Sequence, residues 1–468
     1  MNIYLPIELS VRELDSKLLT ATLAASRGHD VLISDLEPIE KGIDKGILPP
    51  GIFHTKSLSP TDHKIERHQS TIDNGSVITS IDEEGGLVDE NYLADAKFRF
   101  SDHTIKQCSA IFSWGTDDAS TLKKVYPKYS KKIHKTGSPR ADLWRPIFSK
   151  YWGKPHGTPN KPYLLVVSNM SHANYFEPFH NLIEINRKGR QYERDPKLFF
   201  KKFAMASEHY LTTGAFIEAI QHLAKNNNGY DIVLRPHPTE DVKSWKIFLK
   251  GIPNVHVIRE GSITAWVNNA FAIMHNGCTT ALEATVAGKP LVTYVPYKQR
   301  YGNKLPNKLG YYIQSVKELS AKVNKLFENK SFNSKKFWNT SFPAQVSKKI
   351  FIEKNQFAAE KMIIIWESLK NDEHHLSQPL NLFKLKLFLK KMKFNGALGN
   401  VLRKLSPIKL SGLGSDSNGV IKNLKFPKLE KNDIFYRFEK LKKILKVNVE
   451  LECKFLSEKT ILIKRNKK

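Results

Sequence analysis

The chain is poor in cysteine, and its absences narrow the possibilities before any motif is read. Three cysteines, Cys108, Cys278 and Cys453, are odd in number and far apart; they form neither a disulfide framework nor a zinc site and fit a reducing compartment. No Asp-x-Asp occurs and no His or Cys cluster has metal spacing, so no metal and no cofactor is expected. No Gly-x-Gly-x-x-Gly follows the first strand candidate, which removes the dinucleotide-dependent enzymes. No apolar run approaches the roughly 20 residues that cross a membrane. The start, MNIYLPIELSVRELDSKLL, lacks basic residues before an apolar core and carries acids through it, so a signal peptide is not expected and a cytoplasmic protein is. With 468 residues, 40% of them hydrophobic, the chain is globular and long enough for two to three domains at about 150 residues each.

Acidic residues are also in short supply. There are 74 Lys and Arg against 46 Asp and Glu, a net charge of +28, which points to nucleic acid, a membrane surface or a phosphorylated substrate as partner. The excess is uneven. From Asn381 to Lys468 the count is 23 Lys and Arg against 7 Asp and Glu, a net of +16. More than half of the surplus thus sits in the last fifth of the chain. That describes a basic appendage on an enzyme-like body better than a nucleic-acid protein charged throughout, and no nucleic-acid motif is present.

NIYLPIEL, the helical RELDSKLLTATLAASRG and HDVLISDL make a βαβ opening, with Gly28 placed to stop the helix. Apolar runs at Ser76 to Ile81 and Ala110 to Trp114 alternate with helix-compatible sequence, the pattern of a parallel α/β sheet. WGKPHGTPNK, Trp152 to Lys161, reads as a linker. The α/β pattern then restarts with PYLLVVSN, a helical region from Pro196 to Asn226, YDIVLRPHP, NVHVI, FAIMH and LVTYVP. The expectation is an α/β protein of two Rossmann-like domains, 1–151 and 161–330, facing each other across a cleft. A helical segment, 331–375, would close the body, and 376–468 would be a basic α+β extension. There NLFKLKLFLKKMKF has the spacing of a cationic amphipathic helix, and KVNVELECKF alternates like a half-buried strand.

Anionic ligands sit at the carboxyl ends of parallel strands, where a following helix presents free N–H groups. Two loops have that position. HNGCTT supplies Asn276, Gly277, Thr279 and Thr280, with Glu283 one turn into the helix and suited to ribose hydroxyls. In VLRPHPTED, Pro236 and Pro238 stiffen the chain around His237, and Arg235 could add a bidentate phosphate contact. Ser168, Asn169 and Ser171 follow the first strand of the second domain. In the first domain, SIDEEGG ends a strand with Asp82, Glu83 and Glu84 before glycines that permit close approach of substrate. Glu83 or Glu84 is the candidate general base or nucleophile. Gly137, Ser138 and Arg140 are further candidates. The plain alternatives are a turn with a Thr N-cap, a structural turn and a loop of solvated acids. His134, His172 and most other histidines read as surface or structural. Without a metal motif, helix N-termini, His and Arg would carry the leaving-group charge.

Taken in order, SIDEEGGLV, FSWGTDDA, TGSPRADLWRPIF, VVSNMSHAN, RPHPTED and HNGCTTALEATVAGKPLVTYVP resemble the bacterial surface carbohydrate biosynthesis protein family, and LKFPKLEKNDI extends the resemblance into the tail. That family is similar in layout to two-domain GT-B glycosyltransferases. Its His-Pro element resembles that of transferases using CMP-activated Kdo or related nonulosonic acids. The chain departs from the family pattern at Asn276, where Thr is more frequent, and at SNMSHAN, where Thr-Asn-Phe-Gly is; the Gln and acidic motif of bacterial Kdo transferases is not found. The resemblance implies a metal-independent glycosyltransferase of capsule or lipopolysaccharide assembly, with a nucleotide-sugar donor and a lipid-linked glycan acceptor. The basic C-terminal region would hold it to the anionic inner face of the cytoplasmic membrane, and nucleic acid would not be a partner. A nucleotide-sugar epimerase or hydrolase of the same fold, and a non-catalytic assembly protein, are the rival readings.

Overall fold

Strand β1 (Asn2–Ile7) is buried along its whole length, as a strand with neighbours on both edges and cover on both faces must be. It pairs in parallel with β2 (Asp30–Asp35) on one side and β3 (Ile52–Thr55) on the other. From β3 the parallel order continues through β4 (Val77–Ile81), β5 (Ala110–Ser113) and β6 (Ile133–Lys135). The structure, a computed structural model, describes residues 1–83, 92–174, 196–227, 229–300, 305–328, 344–372, 374–405 and 426–466.

A second sheet is wholly parallel. It contains β7 (Tyr163–Val167), β8 (Asp231–Arg235), β9 (Val255–Val257), β10 (Ala272–His275), β11 (Leu291–Tyr294) and β12 (Tyr311–Ile313), in the order β12-β11-β10-β7-β8-β9. The helix Pro196–Lys225 puts Phe216, Ile220 and Leu223, at helical spacing, into the core of this sheet. The α/β class expected from the alternating apolar runs is thus the class observed. Among its parallel strands each sheet also reverses direction once as the chain builds it. In the first the reversal lies between β1 and β3, in the second between β7 and β10. Crevices for ligands open at the carboxyl ends of strands at such reversals, because the loops on either side leave in opposite directions.

The boundaries differ from those expected. Residues Met1–Leu143 with Ser347–Lys468 form one unit, and Trp144–Val346 forms the other. The stretch 152–161 is therefore no linker: it lies inside the second unit, where Asn269 Nδ2 donates to the Gly153 carbonyl. Its Pro and Gly mark a loop, and composition alone does not distinguish a loop within a unit from one between units. The helix Ala358–Asp372 belongs to the first unit. There Trp366 is fully buried with its Nε1 donating to Thr79 Oγ1 at 3.0 Å, and the Ala358 amide donates to Asp142 Oδ2 at 2.6 Å.

The region 376–468 is not an appendage either. Strands β13 (Leu451–Ser457) and β14 (Thr460–Arg465) form an antiparallel hairpin, and β14 pairs with β2 to make the first sheet eight-stranded. Without it the outer edge of β2, an apolar strand, would stand open to pairing with other chains. The helix Leu382–Leu405 buries Leu385 and Leu389 in the core of the same unit and leaves Phe383 and Leu387 exposed. Among the described residues, no helix is long and apolar enough to cross a membrane.

Candidate functional site

In the second unit, the loops that follow β7, β8 and β10 converge at the carboxyl edge of the sheet. Glu240, completely buried, ties two of them together. Its Oε2 accepts from Ser168 Oγ at 2.6 Å and from Trp245 Nε1 at 2.7 Å, and its Oε1 accepts from the Met170 amide at 2.7 Å. Burial raises its pKa, and these hydrogen bonds work against the rise. Ser168 Oγ in turn accepts from the His237 amide at 3.3 Å. The loop after β7 thereby holds His237 in place.

His237 is half-buried. Its Nδ1 accepts from the Thr239 amide at 3.3 Å and lies 2.8 Å from Thr239 Oγ1 and 3.4 Å from Ser171 Oγ. Since Nδ1 accepts from an amide, the proton of the neutral ring is on Nε2. Burial, and then the Arg259 charge, lower its pKa, so at neutral pH the ring presents one N–H donor and no charge. His172 and His209 stand beside it: the His172 amide donates to His209 Nδ1 at 3.2 Å, and the two rings are 5.1 Å apart. Burial together with these neighbouring histidines pushes the His209 pKa down to about 4.

Arg235 ends β8 but turns away from a phosphate role. Its guanidinium donates to the carbonyls of Glu260 and, at 2.9 Å, Gly261, and it sits 5.5 Å from the Trp266 ring. Burial draws its pKa down to about 10. These bonds tie the end of β8 to the entrance of the helix Ile263–Asn269.

The turn after β10 is pinned by His275. This ring is completely buried, its Nδ1 accepts from the Gly277 amide at 3.1 Å, and its Nε2 lies 2.9 Å from Thr293 Oγ1. The Thr293 hydroxyl itself donates to the Leu309 carbonyl, so His275 is the donor to Thr293. Burial pushes the His275 pKa down to about 3. Gly277 has φ of +92°, a left-handed turn that favours glycine. Thr279 precedes the helix Thr280–Val286 without a side-chain capping bond, which sets aside the Thr N-cap expected of an ordinary turn. Thr280 Oγ1 lies 3.2 Å from Cys278 Sγ. Glu283 is buried and accepts from Thr264 Oγ1 at 2.9 Å, so it joins two helices rather than standing in solvent.

Asn276 is the exception in this turn. It is 2% exposed, and among the described residues neither its Oδ1 nor its Nδ2 has a hydrogen-bond partner. A buried amide left unpaired costs about 1–3 kcal/mol for each group, and such exceptions in native folds ask for an explanation. Next to it, Asn169 Nδ2 donates to the Gly277 carbonyl at 3.4 Å, a bond that bridges the β7 and β10 loops at the reversal of the sheet.

No protein-family model matches the sequence. No curated protein matches it either. Solved structures are similar to it in part. The UDP-GlcNAc 2-epimerase from Methanocaldococcus jannaschii is 13% identical over 79% of this chain and 100% of that one, with a TM-score of 0.48. The MnaA protein of S. aureus, solved with UDP, is 12% identical over 81% and 98%, with a TM-score of 0.45. The wall teichoic acid polymerase TagF is 9% identical over 69% and 72%, with a TM-score of 0.35. The comparisons bear on neither substrate nor reaction. The chemistry rests on this chain's own residues.

In the first unit, Glu83 follows β4 and is 4% exposed, with its Oε1 3.2 Å from Lys17 Nζ. Asp82 holds Arg99 through both carboxylate oxygens, at 2.9 and 2.8 Å. Glu84 lies outside the described residues. Arg140 donates to the Glu83 carbonyl at 3.3 Å, and Ser138 Oγ caps the short turn Pro139–Asp142. Gly137 has φ of +83°, and a Cβ there would meet the Phe351 carbonyl at 2.3 Å. Of the three, Arg140 supports Glu83, and Ser138 caps the turn that carries Arg140. Among the described residues, no group of His, Cys, Asp and Glu could hold a metal ion.

Three participants escaped the sequence reading: Glu240, His172 and His209. The first stood in full view within RPHPTED, but an acid after a Pro-rich turn reads as solvated. The histidines belong to the β7 loop and to a long helix, and no spacing links them to His237.

Proposed function

We propose that the chain is a glycosyltransferase of surface polysaccharide assembly, moving a sugar from a nucleotide-activated donor to a lipid-linked glycan acceptor. The observation that carries this reading is Asn276, whose buried amide has a donor and an acceptor without partners among the described residues at the point where the second sheet reverses. A phosphate oxygen beside Nδ2 and a ribose or sugar hydroxyl beside Oδ1 would satisfy both. His237 would add its Nε2–H to the departing phosphate. A neutral donor stabilises the oxyanion that forms as the anomeric C–O bond breaks without requiring a buried cation. Ser168 and Asn169 position these two residues, Gly277 gives the turn its shape, and Thr279 and Thr280 open the helix behind it. Arg235 and Glu283, engaged by other partners, act as supports.

Glu83 supplies the base. The acceptor hydroxyl gives its proton to this carboxylate, its oxygen bonds to the anomeric carbon, and the nucleotide leaves with the electron pair. The C-terminal lysines and arginines, 23 against 7 acids, favour approach to the anionic inner face of a membrane at about 1 kcal/mol for each residue near the surface.

The test is thermal stabilisation of the full chain by CMP, UDP, GDP and their sugars, repeated with His237→Ala and Asn276→Leu. At a hundred times its Kd a nucleotide should stabilise by about 2.7 kcal/mol, and both variants should lose the effect. Asn276→Leu removes an unpaired amide, so its unliganded stability should hold or rise. No shift with any nucleotide would sink the reading in favour of an assembly protein, and conversion of a nucleotide-sugar into its isomer without acceptor would favour an epimerase.

A further inference from the structure

The first unit has its own crevice. At the carboxyl ends of β1, β3 and β4, beside the reversal of the first sheet, lies a cavity of about 220 Å³ whose lining includes Lys56, Ser57, Asp82, Glu83 and Arg99. It is smaller than the roughly 300–1,000 Å³ of pockets for drug-sized ligands. A nucleotide does not fit; a single sugar ring does.

Its charges are matched in pairs. Arg99 binds both oxygens of Asp82, Lys56 Nζ lies 2.5 Å from Glu8 Oε2, Lys17 meets Glu83, and Arg12 meets Glu13 at 3.1 Å. A lining compensated in this way exerts little net pull on a phosphate, yet it offers acceptors and donors side by side. Vicinal hydroxyls, each of which donates and accepts, match that arrangement. Ser57 and Ser59 accept from Lys64 Nζ at 2.6 and 3.0 Å, and each hydroxyl has its own proton to donate.

The remaining wall is Phe98, 80% exposed, next to Arg99 at the rim. A phenyl ring in water beside a polar cavity contributes nothing to the core. It is suited to the apolar C–H face of a pyranose lying edge-on to the ion pairs. We infer that this cavity is a subsite for one neutral pyranose, and, on the transferase reading above, that this ring is the terminal sugar of the acceptor.

The experiment uses the full chain without nucleotide and a panel of neutral methyl pyranosides, followed by saturation-transfer NMR and calorimetry, with inorganic phosphate as competitor. At least one glycoside should bind. Phe98→Ala should weaken it about 2- to 10-fold, the size of one aromatic contact, while Phe98→Tyr should retain it and phosphate should not displace it. Arg99→Gln should also weaken it. Absence of binding, binding unchanged in Phe98→Ala and Arg99→Gln, or displacement by phosphate would each overturn the inference. Nucleotide stabilisation is measured in parallel. Glycoside binding without it would sink the transferase reading and keep the sugar site, and nucleotide binding without glycoside binding would do the reverse.

Discussion

Acid should loosen the turn after β10 through one residue, His275. Its Nδ1 receives the Gly277 amide and its Nε2–H is given to Thr293, so a second proton on the ring would set two donors against each other at Gly277. The pKa is depressed from 6.5 to about 3 by burial. For a base with a depressed folded pKa, the unfolded state binds more protons between the two values. The contribution to stability is therefore complete above pH 6.5 and is lost as pH falls. At 1.36 kcal/mol per unit the loss is about 2 kcal/mol by pH 5 and approaches about 5 kcal/mol near pH 3. His275→Gln provides the control. Its amide still donates to Thr293, the acceptor for Gly277 is gone, and this position no longer titrates. It should start about 1 kcal/mol less stable and lose less stability than wild type from pH 7.5 to 5, keeping only the losses that the depressed His209 and His237 bring. Hydrogen exchange of peptides spanning 271–287, corrected for intrinsic rates, reads the turn itself and avoids the assumption that both units unfold together. Equal loss of protection in wild type and variant over this range would refute the assignment to His275.

Glu240→Ala leaves three buried donors unpaired and should destabilise the second unit by about 3 kcal/mol or more, with Glu240→Gln between it and wild type in urea unfolding. Because burial raises the Glu240 pKa above the ordinary 4.5, its charged form is the disfavoured one. Wild-type stability relative to Glu240→Gln should therefore be highest below pH 4.5 and fall as pH rises through the raised value. Breaking the buried Lys17–Glu83 pair with Lys17→Met or Glu83→Gln alone should cost about 3–5 kcal/mol, and the double variant should cost less than either; equal or additive costs would remove the pair as a unit. Truncation before residue 426 uncovers β2, and the product should aggregate on size-exclusion chromatography rather than elute as a trimmed monomer.

Local pattern carried much of this protein. The apolar runs PYLLVV, DIVLR, AIMH and LVTY each became a strand of the second sheet, because burial on both faces needs uninterrupted apolar side chains and that requirement is met within a few neighbours. The loops after those strands were legible for the same reason. Strands β3, β6 and β12 offer no such run: IFHT and IHK are each interrupted by a histidine, and both tyrosines of YYI are exposed.

Which strand ends meet was decided elsewhere. Ser34 and Thr460 share a hydrogen bond across 426 positions, and nothing near either residue announces the other; the same distance hid the basic region's place in the first sheet. The composition of HNGCTT marked a turn with chemistry in it, but did not separate His275, which is consumed by packing, from Asn276, which has no partner among the described residues. Local sequence determines what a segment becomes, since helical and strand periodicities are properties of adjacent residues. Whether a polar group is spent or available depends on the partners that strand order brings to it, and those come from the whole tertiary fold.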